Sequence, residues 1–163
     1  MATTALGDTP VHTVGEPPTV GSQAPTFELT GNDFESVTLP TGTRVVLNIF
    51  PSVATGVCSA SVRRFNELAA SLDDTTVINV SKDLPFALAS FCGAEGIDKV
   101  TTASAFASTF GSDYGVEMTD GKWRGLLART VVVVDRDGSV LHSQVTPTIG
   151  EEPDYDAAVA ALG

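Results

Sequence analysis

The chain has 163 residues, 42% of them hydrophobic and only 18% charged, which fits one folded domain with a sizeable core and excludes a disordered chain. Its net charge of -11 repels phosphate backbones, so no nucleic acid partner is expected. No stretch approaches the roughly 18 uninterrupted apolar residues of a membrane helix, so no membrane partner is expected either.

Residues 1 to 25 are rich in Thr, Gly and Pro. Two short extended pieces, His12 to Val14 and Thr19 to Val20, suggest a loose N-terminal hairpin. Residues 26 to 39 read as an extended lead-in, with Phe27, Leu29, Val37 and Leu39 facing inward. Thr43 to Phe50 is a buried strand, rich in β-branched and apolar residues and stopped by Pro51. A helix begins near Val57, because Val62, Phe65, Leu68, Ala69 and Leu72 recur at three- and four-residue steps. Thr75 to Val80 is a second buried strand. Asp83 is placed to cap a helix from Leu84 to about Phe91, with Pro85 in its first turn and Gly93 and Gly96 ending it. Val100 to Thr102 fits a short strand, and Ala105 to Phe110 a helix. Thr130 to Asp135 is a third strong strand, returned by Val140 to Val145 through the turn Arg136-Asp137-Gly138. Tyr155 to Leu162 forms a terminal helix. Strands alternate with helices and close on a hairpin, which predicts an α/β domain over 1–163: a mixed sheet flanked by helices, with an N-terminal β-hairpin.

The first Lys or Arg is Arg44, so residues 1 to 43 offer neither a basic signal n-region nor an arginine-rich presequence. A cytoplasmic location is expected, where thiols are kept reduced. Cys58 and Cys92, the only two cysteines, are then either inert core residues or redox groups.

Cys58 falls in the first turn of the helix that follows the buried strand Thr43 to Phe50. Unpaired backbone N–H groups and the positive end of the helix dipole favour an anion there, and the thiolate is the nucleophilic form of cysteine. Thr55, three residues earlier, can donate a hydrogen bond to the sulfur or to a bound oxygen, or can simply cap the helix. Pro51 can fix the loop and shield the sulfur, or merely end the strand. Arg129, at the start of the strand Thr130 to Asp135, is the best candidate for a cation completing the site. From the residues alone, Cys58 is open to both readings, a reactive thiol or a small buried hydrophobe, and Cys92 to that of a buried helix residue. His12 and His142 make no ligand cluster with the cysteines, so no metal or other cofactor is expected. The segment Gly115 to Trp123 lacks the spacing of a phosphate loop.

Pro51-x-x-x-Thr55-x-x-Cys58 resembles the peroxidatic motif of peroxiredoxins. The runs Asn48-Ile49-Phe50-Pro51-Ser52, Thr55-Gly56-Val57-Cys58, Asp83-Leu84-Pro85-Phe86-Ala87, Phe91-Cys92-Gly93-Ala94-Glu95-Gly96 and Gly125-Leu126-Leu127-Ala128-Arg129 are similar to the bacterial thiol peroxidase subfamily, which comprises atypical 2-Cys peroxiredoxins. The likeness runs from about residue 10 to the C-terminus. It implies a thioredoxin-like fold and reduction of hydrogen peroxide and organic hydroperoxides. Cys58 would be the peroxidatic cysteine, Cys92 the resolving cysteine of an intrachain Cys58–Cys92 disulfide, Thr55 and Arg129 the groups that polarise the peroxide, and Pro51 the closure of the pocket. Thioredoxin would be the reductant and a homodimer the assembly. The divergent stretch is Glu117 to Arg124, with Trp123 near a pocket or dimer edge. A peroxide-sensing thiol switch without efficient turnover shares the first oxidation and stays open at this point, as does a non-peroxidatic thiol–disulfide oxidoreductase.

Overall fold

The computed structural model describes all of residues 1–163. A two-stranded hairpin, β1 (Thr3–Leu6) and β2 (Thr9–His12), stands apart from a seven-stranded mixed sheet. That sheet is built from β3 (Glu28–Gly31), β4 (Ser36–Thr38), β5 (Arg44–Ile49), β6 (Thr75–Ser81), β7 (Thr101–Ser104), β8 (Thr130–Val134) and β9 (Val140–Val145), in the order β4-β3-β7-β6-β5-β8-β9. β5, β6 and β7 are parallel, and every other pairing is antiparallel. The helices are α1 (Gly56–Ala69), α2 (Pro85–Glu95), α3 (Phe110–Asp113) and α4 (Tyr155–Ala160).

The central strands β5 and β8 are buried almost throughout because both faces of the sheet are covered. Val45, Leu47 and Ile49 of β5 point to one side, into a 17-residue core completed by Ile78, Val80, Val132, Val134, Phe27, Phe110 and Tyr114. Val46 points to the other, where Val77, Val131 and Val133 meet Phe65 of α1 and Ala158 of α4. Both β5-α1-β6 and β6-α2-β7 step in the same direction across the sheet, so right-handed crossovers put α1 and α2 on one face.

Four elements differ from the sequence reading. The hairpin spans Thr3 to His12, because Gly7 (φ 63°) supplies the positive φ of a two-residue turn, whereas Pro17 and Pro18 donate nothing to a ladder. The lead-in of 26 to 39 is itself a hairpin, turned at Phe34 with φ 67°. β7 runs to Ser104, with Ala105 N–H still donating to the Ser81 carbonyl, so the helix expected at Ala105 to Phe110 is displaced to Phe110–Asp113. α2 continues through Gly93 to Glu95 and stops only where left-handed Gly96 (φ 66°) lets the N–H groups of Gly96 and Ile97 close on the Cys92 carbonyl.

His142 on β9 is half-buried with Nε2 unpartnered, and burial pushes its pKa down against an opposing pull from Asp154. The unfolded chain then binds a proton more readily than the folded one, so stability falls as pH drops through about 6.5 and levels off below the folded pKa. Solvent screening keeps the step small. Urea unfolding at pH 7.5 and 5.5 is expected to show this step in the native chain and not in His142→Gln.

Candidate active site

The chemistry-bearing residues gather where β5 gives way to α1. Phe50 N–H donates to the Val80 carbonyl, and buried Pro51, which has no N–H, ends the ladder. The chain folds back on Ser52, whose carbonyl accepts from the Thr55 N–H at 3.2 Å and from the Thr55 hydroxyl at 3.3 Å. Thr55 is the N-cap of α1: its backbone is extended and its Oγ1 accepts from the Cys58 N–H at 3.3 Å. Cys58 therefore sits at the third helical position, its sulfur close to the free amides and positive dipole end of a 14-residue helix.

Cys58 is wholly buried, packed with Phe50, Val53, Val62 and Leu88. Arg129, immediately before β8, is buried beside it with 1% of its surface exposed. Its Nε donates to the Ile149 carbonyl at 2.9 Å and its Nη2 to Cys58 Sγ at 3.1 Å, while Nη1 is buried and has no partner. Arg129 takes part in none of the ion pairs of the molecule. A guanidinium remains charged in any protein environment, and a buried charge without a counterion is strongly destabilising. The Cys58 sulfur is the one side-chain atom to which this guanidinium donates a hydrogen bond.

Cys92 lies on α2, 8% exposed, and both cysteines are free. Leu88, one turn earlier on the same helix face, belongs to the Cys58 cluster, and Phe91 packs against it. The site thus joins Thr55, Cys58 and Arg129 directly, with Pro51 buried at the start of the same loop and Cys92 on the neighbouring helix of the same layer. Trp123 is partly buried and packs against the cluster of Val11, Met118, Ala128 and Ile149, which flanks Arg129 in sequence and supplies its Ile149 carbonyl.

Two groups were not singled out by the sequence. Asp83 does not cap α2; the N-cap is Leu84, with no side-chain hydrogen bond. Its carboxylate turns instead to the loop before Cys58, accepting from Ser52 Oγ (2.7 Å) and the Val53 N–H (2.9 Å), and also from Ser81 Oγ (2.6 Å). A buried polar chain also runs under α1: Ser61 Oγ donates to the Cys58 carbonyl, Asn48 Nδ2 donates to Ser61 Oγ and to Asn79 Oδ1, and Asn79 Nδ2 donates to Thr102 Oγ1. Asn48 and Asn79 sit at alternating positions of two strands otherwise rich in valine and isoleucine, and that break in the pattern was the available signal.

No helix is long and apolar enough to cross a membrane. The family model described as Redoxin matches residues 19–159. The thiol peroxidase of Mycobacterium tuberculosis (strain ATCC 25618 / H37Rv) is 53% identical over 165 residues, covering 100% of this chain and 99% of its own. That of Corynebacterium glutamicum is 52% identical, with 99% of each chain covered. The crystal structure of a peroxiredoxin-like protein from Aquifex aeolicus superposes with TM-score 0.95 at 35% identity, covering 99% of this chain and 96% of that one. A thiol peroxidase structure from Chromobacterium violaceum gives TM-score 0.90 at 21% identity over 98% of this chain and 94% of its own, a likeness of fold. The thioredoxin-like architecture expected of the sequence is thereby borne out, and a thiol next to a buried guanidinium is the chemistry such proteins need: the chain belongs to the Redoxin family, among its thiol peroxidases, and is an enzyme of thiol-dependent peroxide reduction.

Proposed function

We propose that residues 1–163 form one peroxiredoxin domain in which Cys58 is the peroxidatic and Cys92 the resolving cysteine of a cytoplasmic, thioredoxin-dependent peroxidase. The observation that carries this reading is the Arg129 guanidinium, buried, paired with Cys58 Sγ and holding one nitrogen uncommitted. Cys58 thiolate attacks one peroxide oxygen; an S–O bond forms as the O–O bond breaks. The sulfur loses two electrons, and the departing oxygen takes a proton to leave as water or an alcohol. Nη1 of Arg129 is free to donate to that oxygen as its charge grows, and rotation of the Thr55 hydroxyl away from the Ser52 carbonyl adds a second donor. Pro51 keeps water off the sulfur. Burial of Cys58 admits a ligand as small as a hydroperoxide more readily than a bulky thiol, and no metal or cofactor enters the scheme.

The Cys92 sulfur then attacks the Cys58 sulfenic acid. An S–S bond forms, the S–O bond breaks, and the oxygen leaves as water. Thioredoxin returns both thiols by exchange, taking the disulfide onto itself. For the homodimer, the supporting feature is an exposed apolar patch: Phe34 and Phe86 pack edge to face at 4.9 Å, and Leu84, Phe86 and Phe106 are 48%, 71% and 60% exposed.

Peroxide consumption with thioredoxin and its reductase tests the reading through Cys92→Ser. This variant is expected to reduce about one equivalent of peroxide at the native rate, then stall, with steady turnover lowered about 100-fold or more. Peptide mapping of the peroxide-treated native chain should recover Cys58 joined to Cys92. Undiminished steady turnover by Cys92→Ser would refute the resolving role.

A further inference from the structure

Asp83 stands at a junction that the proposed chemistry has to open. Behind it, one residue away, Leu84 caps α2, the helix that carries Cys92. In front of it, its carboxylate holds the loop that builds the Cys58 turn. The chain of contacts is continuous. Asp83 fixes Ser52 and the Val53 N–H; Ser52 accepts from the Ala54 N–H through Oγ and from Thr55 through its carbonyl; Thr55 caps the Cys58 N–H. Asp83 is itself anchored to the sheet. Ser81 Oγ of β6 donates to the carboxylate, and Ser104 Oγ of β7 donates to its backbone carbonyl. One carboxylate therefore ties both cysteine-bearing segments to the sheet through three accepted hydrogen bonds.

These bonds differ from the apolar packing around them in how they can be released. Leu88 and Val62 leave the Cys58 cluster only at the full cost of exposing apolar surface. A half-buried carboxylate exchanges its donors for water at far smaller cost, and without it the loop Ser52 to Thr55 is held by its own turn and by the packing of Val53 alone.

We propose that Asp83 is a positioning residue that latches the peroxide-reactive Cys58 turn to the root of α2, and that its release gates closure of the Cys58–Cys92 disulfide. The inference rests on the assignment of the two cysteines made above. Engaged, the latch holds Cys58 at the third position of α1, opposite Arg129, for reaction with peroxide. Released, it frees both segments together, so that the sulfurs can approach to disulfide distance.

The test is Asp83→Asn, measured in two steps and in the reduced protein. An asparagine fills the same space but accepts on one atom only, so either Ser52 Oγ, which uses one oxygen, or the Val53 N–H and Ser81 Oγ, which share the other, lose their acceptor. Rapid-quench trapping of thiol, sulfenic acid and disulfide should show Cys58 oxidation slowed about tenfold and disulfide closure accelerated about tenfold, the scale of one charge-assisted hydrogen bond. Amide exchange of reduced Asp83→Asn should rise about tenfold over residues 52 to 58 and stay native over β8. Opposed signs in the two steps separate a latch from general damage, which slows both. Ser52→Ala, which cuts the loop side alone, should move the same quantities by about threefold and serves if Asp83→Asn folds poorly. Both steps slowing together, or native amide exchange over 52 to 58 in both variants, would overturn the proposal. If the native chain forms no Cys58–Cys92 disulfide, the cysteine assignment fails instead, and amide exchange still decides whether Asp83 holds the turn.

Discussion

Cys58→Ser is expected to lower thioredoxin-linked peroxide turnover at least about 1000-fold and to destabilise the fold in the same stroke. The first effect follows from chemistry: a serine hydroxyl does not ionise at neutral pH and has no oxidation step comparable to sulfenic acid formation. The second follows from the partner. Serine removes the one group that balances the Arg129 guanidinium, which is buried and unable to shed its proton. Leaving a buried charge without its counterion costs about 3 kcal/mol. Urea unfolding of the reduced proteins reads that loss, and the coupled assay is run where circular dichroism shows the variant still folded. Full turnover by Cys58→Ser would remove Cys58 from the chemistry; unchanged stability would mean that the sulfur carries no charge for Arg129 to meet.

How much of this site could be read in the sequence depended on the range of each contact. The strand–Pro51–Thr55–Cys58–helix arrangement was legible because a cap and the amides it satisfies lie within three residues of one another. Arg129 was legible for a different reason: it opens a strong strand, and a cation at a strand end can enter the pocket of a neighbouring element, although a surface position was equally compatible with the sequence. Asp83 was misread because local statistics favour an acidic residue ahead of a helix, whereas its donors, Ser52 and Val53, lie 31 and 30 residues away across a parallel crossover. The same limit explains α3. Ala105 to Phe110 has helical composition, but Ala105 is held by the Ser81 carbonyl as an extension of β7, a tertiary bond without local trace. The N-terminal hairpin is present as expected but lies earlier in the chain: its turn signal is local, at Gly7-Asp8, ahead of the β-branched residues beside two prolines on which the expectation rests.

Arg129→Met should, like Cys58→Ser, destroy activity, but at a smaller cost to the fold. Methionine removes both nitrogens that face the site, the donor to Sγ and the uncommitted Nη1. Loss of donors aimed at developing charge slows such reactions about 100- to 1000-fold, and that is the expected fall in the second-order rate of Cys58 oxidation. Stability responds differently because the two partners are not equivalent. Without the guanidinium, the sulfur keeps its place in an apolar cluster of Phe50, Val53, Val62 and Leu88, where a cysteine packs as a small hydrophobe. The buried charge disappears rather than being stranded, and a flexible methionine fills much of the vacated space. The Ile149 carbonyl loses its Nε donor, so unfolding free energy is expected to fall by about 1 to 2 kcal/mol, less than for Cys58→Ser. The decisive measurement is the double variant. If the two residues form an ion pair in the reduced enzyme, Cys58→Ser costs about 3 kcal/mol in the native background and close to nothing in Arg129→Met. Equal costs in both backgrounds would break the pair. The asymmetry bears on the proposed cycle too: oxidation of Cys58 to the sulfenic acid already removes the negative charge that serine removes. On that proposal Arg129 then favours a state in which water reaches it, which would loosen the Cys58 turn before Cys92 comes to the sulfur.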